Sequence, residues 1–120
     1  MQQPPDHAVD NDIAELLHAA FRLYGAADKP NRRECMKQLA QAVPGYGERE
    51  YTHAWNRVSV LYEYACKLAF RWANENPPGA TIESNVVEAI FMDEIAGKCQ
   101  GFSPEEYAVA LTYGFERGIF

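Results

Sequence analysis

The chain is poor in the features that usually announce a chemistry. Its 120 residues hold three cysteines, Cys35, Cys66 and Cys99, an odd number set far apart, which fits neither a zinc spacing nor the disulfide framework of a small secreted domain. They read as reduced, mostly buried thiols. There is no phosphate-cradling loop, no nucleophile elbow and no dinucleotide fingerprint. No stretch of about 18 uninterrupted apolar residues exists to span a bilayer, and the opening MQQPPDHAVDND has neither the basic nor the apolar region of a leader. A cytoplasmic location is expected. A basic surplus is missing too: the net charge is −6, which disfavours unassisted attraction to nucleic acid or anionic membrane and favours a basic partner. Neither a basic stripe nor a basic recognition helix offers a route to direct DNA binding.

What is present is a core. Hydrophobic residues make up 48% and aromatics 12% of the chain, whereas disordered chains are poor in both. No run alternates with the period of a strand, and no internal repeat stands out. From Glu48 to Asn76 the sequence contains neither glycine nor proline, enough for an uninterrupted helix roughly 43 Å long. The expected fold is all-α, an antiparallel bundle of about five helices around this long central one. Residues 1–9, with Pro4 and Pro5, are expected to be a flexible arm, and 10–120 a single helical domain.

The shorter helices are marked by their ends. Asp12 and Glu15 fit a capping pair before the stripe Ile13, Leu16, Leu17, Ala20, Phe21 and Tyr24, which Gly25 is placed to end. After a turn at Asp28 and Pro30, Asn31 and Glu34 cap a second helix carrying Cys35, Met36, Leu39, Ala40 and Val43, terminated by Pro44 and Gly45. Thr81 is the expected cap of a fourth helix with Ile82, Val86, Val87, Ile90, Phe91 and Ile95 on its stripe. Ser103, Pro104 and Glu106 spell a capping box with proline at the first helical position, and Phe102 and Tyr107 are spaced as a hydrophobic staple. Gly114 and Gly118 mark a close approach to a neighbour.

On a helical wheel the long helix puts Tyr51, Ala54, Trp55, Val58, Leu61, Tyr62, Ala65, Ala69 and Trp72 on one broad face. His53, Val60, Tyr64 and Arg71 share the outer side, and Phe70 lies well away from the centre of the main face. Sister helices or another chain must cover these apolar residues.

Glu15 with His18 and Glu50 with His53 form two Glu-x-x-His pairs, half of a carboxylate di-iron pattern. Both histidines fall away from the apolar faces, so solvated surface residues are expected, with no metal and no cofactor. Cys66 beside Lys67 has no histidine at a credible spacing and reads as structural, not as a nucleophile.

Charge is distributed unevenly. From Pro77 onward seven acids, Glu83, Glu88, Asp93, Glu94, Glu105, Glu106 and Glu116, meet two bases, Lys98 and Arg117, so −5 of the −6 lies in the last third. Asp93 and Glu94 either pair internally, with Arg32, Arg33, Lys37 or Arg57, or face a partner. The expected function is non-enzymatic binding of another protein with a basic surface, through Glu83, Glu88, Asp93, Glu94, Glu105 and Glu106 together with Val60, Tyr64 and Arg71. A small acidic inhibitor of the immunity, antitoxin or phage anti-defence type fits that description. The alternatives are a homodimeric accessory subunit of a larger assembly and, behind it, a helical metalloenzyme.

Overall fold

With nothing to interrupt it between Gly47 and Pro77, the long segment forms α3, Glu48–Glu75. The computed structural model describes residues 6–26 and 32–118. The other elements are α1 (Asp6–Ala26), α2 (Arg32–Ala42), α4 (Ser84–Lys98) and α5 (Pro104–Gly118), and no strand occurs among the described residues. The chain divides into two compact units, Met1–Val58 and Ser59–Phe120, and the division falls inside α3.

In the first unit, α1 buries Leu16, Leu17, Ala19, Ala20 and Phe21, α2 and its end bury Cys35, Leu39 and Val43, and α3 contributes Tyr51, Ala54, Trp55 and Val58. Tyr24 of α1 lies against Trp55 of α3 with ring centroids 5.1 Å apart. In the second unit, α3 buries Leu61, Tyr62, Ala65, Leu68 and Ala69, α4 buries Val87, Phe91 and Ile95, and α5 buries Tyr107, Ala110, Leu111 and Phe115. Phe115 sits 5.3 Å from Phe91 and 6.3 Å from Trp72, tying three helices together. Each fully buried Leu, Ile or Phe contributes about 1.5–3 kcal/mol, so these short stripes suffice to hold the helices. At Gly114 α5 lies directly against the α3 backbone: a Cβ there would lie 2.6 Å from the Ala65 carbonyl carbon. The close approach expected of Gly114 is therefore real.

The helix starts differ from expectation at two places. α1 begins at Asp6, upstream of the Asp12 pair, because no residue after Pro5 breaks a helix and acids near its N-terminus suit the dipole. It thereby takes in residues 6–9, expected in the arm; residues 1–5 and the Asn31 cap lie outside the described residues. α4 begins at Ser84, not at Thr81. Pro77, Pro78 and Gly79 (φ +83°) hold a turn closed by the Ala80 N–H on the Pro77 carbonyl at 3.0 Å, and the first helical carbonyl to accept is that of Glu83, from Val86 and Val87 at 3.0 Å each. The buried stripe is also narrower than expected. Val87, Phe91 and Ile95 are buried, whereas Val86 and Ile90, expected beside them, are 41% and 55% exposed.

No internal repeat was expected, yet one turn geometry occurs twice. Between α2 and α3 the Tyr51 hydroxyl donates to the Val43 carbonyl at 2.7 Å and accepts from the Tyr46 N–H at 3.2 Å. Between α4 and α5 the Tyr107 hydroxyl donates to the Cys99 carbonyl at 2.7 Å and accepts from the Phe102 N–H at 3.3 Å. Gly45 and Gly101 take the same left-handed φ, 106° and 105°. The Gly47 N–H meets Glu50 Oε1 at 3.0 Å and the Ser103 N–H meets Glu106 Oε1 at 2.9 Å. Tyr46 on Tyr51 and Phe102 on Tyr107 are both edge-on pairs at 6.0 Å. The Ser103 capping box and the Phe102–Tyr107 staple, both written in the sequence, are one half of this repeated corner, completed by the Glu106 N–H on Ser103 Oγ at 3.2 Å.

Candidate functional site

The outer side of α3 is partly claimed by α4. The Tyr64 hydroxyl donates to Glu94 Oε2 at 2.8 Å, and Arg71 forks onto the same carboxylate, Nη1 to Oε2 at 3.0 Å and Nη2 to Oε1 at 2.7 Å. The Arg71 guanidinium also lies over the Phe91 ring, 5.8 Å from its centroid. A bidentate guanidinium is the strongest charge-assisted pair available to a carboxylate. Donation from Arg71 and then from Tyr64 holds the Glu94 carboxyl down to about 2, from its ordinary 4.5. Burial, and the bond to Glu94, push the Tyr64 phenol up. Three residues expected to face a partner are thus brought together, but to face one another. Arg71 was not among the cations expected to answer Glu94, since helix register is invisible in the sequence.

The remaining candidates stay open to solvent in varying degree. Glu83 and Asp93 are exposed and Glu88 is half-buried on α4. On α5 Glu105 is exposed, while Glu106 spends one oxygen on the Ser103 N–H. Val60 is 52% and Phe70 63% exposed on α3. Val86 and Ile90 were missed as surface residues, along with Val109 of α5, 51% exposed. Their signal was the α4 wheel itself, apolar on more than one side. Spacings of three and four put Glu83, Val86, Ile90 and Asp93 on one solvent-facing ladder, two apolar side chains between two carboxylates.

The two Glu-x-x-His pairs do not assemble a centre: Glu15, Glu50 and His53 are exposed and His18 is half-buried. Among the described residues no three His, Cys, Asp or Glu side chains converge to hold a metal ion. Cys35, Cys66 and Cys99 are not joined in disulfides; Cys35 and Cys99 are buried and Cys66 is half-buried. Burial and the neighbouring Glu34 push the Cys35 thiol up, away from nucleophilic use. Among the described residues no helix is long and apolar enough to cross a membrane.

Several concavities border the start of α3 in the first unit, two of them against a neighbouring helix. One, of about 410 Å³, lies between α1 and α3 and is lined by Leu16, Leu17, Tyr46, Arg49, Glu50, His53, Ala54 and Arg57. The other, a more open groove of about 610 Å³ between α2 and α3, places Arg33 and Lys37 opposite Glu48. Comparison with known proteins brings no outside guide to either surface, since no family model, curated protein or solved structure matches the chain.

Proposed function

We propose that the protein is a binding module that docks the outer face of α4 on a basic surface of another protein. The observation that supports this most directly is the ladder on α4, where Val86 and Ile90 stand 41% and 55% exposed between the exposed carboxylates of Glu83 and Asp93. Apolar anchors ringed by charge are the arrangement from which interface hot spots are built: the anchors supply desolvation energy, and the ring excludes water and selects the partner's sign. The charge surplus of the last third supplies steering toward a basic target. Where the covered surface is a basic enzyme's substrate site, such binding inhibits it, which is the role expected of an immunity, antitoxin or anti-defence protein.

Glu94, Tyr64 and Arg71 have a different part in this reading. Their mutual pairing fixes α4 on α3 and so presents the ladder, making them supports of the surface and not its contacts. The test therefore targets only the solvent-facing acids of the ladder. The partner is captured from host extract, purified, and its affinity measured for the native protein and for the double variant Glu83→Lys, Asp93→Lys. The expected result is a Kd weakened about tenfold or more, with the native affinity falling as salt rises. An unchanged Kd removes α4 as the docking face. A native dimer in light scattering that persists in high salt, and is lost on Ile90→Asp, assigns the same face to self-association.

A further inference from the structure

The side of α3 turned away from the core carries a ladder of its own. Val60, Glu63, Lys67, Phe70 and Asn74 recur at steps of three and four, which keeps them on one line along the helix. All of them are exposed, Val60 by 52% and Phe70 by 63%. Leu61, Ala65 and Leu68, on the opposite face, are buried, so the core accounts for that side of the helix and not for this one. Beside the ladder, Tyr64 and Arg71 are turned to Glu94 of α4. A solvent-facing line on a helix is ordinarily polar, yet this one holds Phe70, the most exposed large apolar side chain among the described residues.

The order of these residues makes the ladder complementary to itself. Val60 and Phe70 lie equally far from a midpoint at Ala65, and so do Glu63 and Lys67. A two-fold axis at that level, perpendicular to the helix, lays a second copy of α3 antiparallel on the first. Val60 then meets Phe70 of the second copy, and Glu63 meets Lys67 of the second copy, each pairing occurring twice. The two apolar residues stand about 15 Å apart along the helix, too far to form one patch within a chain. A second copy presents the same spacing, with charges of the opposite sign in the turns between. The α4 ladder behaves differently under the same operation: Val86 would meet Ile90, but Glu83 would meet Asp93, and carboxylate would repel carboxylate. The α4 face therefore calls for a partner of the other sign, whereas the α3 face is matched by its own copy.

We propose that the outer line of α3 is a self-association surface, on which two copies of the chain pair antiparallel with Phe70 on Val60 and Glu63 on Lys67. The Phe70 and Val60 contacts supply the desolvation, and the charged pairs between them fix direction and register, because a parallel or shifted pairing sets like charges or unmatched side chains opposite one another. A single helix line buries less than the roughly 1,200 Å² of a stable interface, so the pairing is reversible, with a Kd on the order of 10–100 µM. It uses none of the α4 ladder residues, so this proposal and the docking of α4 on a basic partner fail independently.

The test is sedimentation velocity of the full chain at low salt, from about 5 to 500 µM, which should show a reversible monomer–dimer equilibrium. Glu63→Lys alone and Lys67→Glu alone each set like charges against one another in their own homodimer and should weaken it about tenfold or more. Mixed in equal amounts, these two variants should dimerise with one another at near-native affinity, because every charged contact of the mixed pair again joins an acid to a base. An effect confined within one chain is not rescued by mixing. Phe70→Asp, at a residue already exposed, should weaken the dimer about tenfold or more with the circular dichroism unchanged. A chain that is monomeric throughout the range, single charge variants that dimerise as the native chain does, variants that stay apart when mixed, or a dimer that Phe70→Asp leaves intact and Ile90→Asp abolishes each overturns the proposal.

Discussion

Glu94 shows how, of two readings the sequence left open, internal pairing or a partner, the register of the helices favours the first. Its carboxylate accepts from both Nη atoms of Arg71 and from the Tyr64 hydroxyl. The proton is bound less tightly in the folded protein than in the unfolded chain, because the depressed value of about 2 stands against an ordinary 4.5. The stability this contributes is therefore fully present above about 4.5 and is lost as pH falls through about 2. Thermal unfolding of native protein and of Glu94→Gln, compared at pH 7 and at successive steps down to pH 2, should show a gap in Tm that is widest at neutral pH and closes as acid protonates the native carboxylate. A gap that is constant with pH contradicts the pairing. Partial exposure of the Arg71–Glu94 pair, 48% and 35%, makes the same gap shrink in salt.

At the scale of elements, the repeated corner carries the clearest expectation. Each tyrosine hydroxyl satisfies a buried carbonyl and a part-buried backbone N–H, so Tyr51→Phe and Tyr107→Phe should each cost about 1–3 kcal/mol in urea unfolding. Comparable losses at both sites mark the two hydroxyls as equivalent; a tyrosine whose change costs nothing is not holding its corner.

The limits of the sequence are also clearest here. The extent of α3 and the start of α5 were legible because glycine, proline and a capping box write them locally. The corner repeat was written too, as Gly-aromatic-small-x-x-Glu-Tyr in Gly45–Tyr51 and Gly101–Tyr107, but it hid behind changed identities: Tyr46 for Phe102, Gly47 for Ser103, Val43 for Cys99. The α4 start was misplaced because Thr81 is a good cap in isolation, whereas the turn after Pro77 delays the helix to Ser84. The exposure of Val86 and Ile90 was missed for a separate reason, since an apolar set wider than one face does not say which side meets the core. The pairing of Arg71 with Glu94 depends on the register between α3 and α4, which no local pattern encodes.

At the scale of the molecule, the two units divide the labour. The first carries the concavities at the start of α3; the second carries most of the net negative charge and the exposed ladder on α4. Of the candidate site, the acidic character of the last third was legible as composition. The partition of its carboxylates into structural and solvent-facing ones was not, because it is set by which helix each meets. The measurement that bears most directly on the proposed docking face is the dissociation constant of the captured partner for native protein and for Ile90→Asp. The substitution puts a charge at the apolar centre of the ladder, at a residue already 55% exposed, so folding should survive it. The account predicts a loss of about tenfold or more with the circular dichroism and Tm unchanged; equal affinity of the two proteins contradicts it.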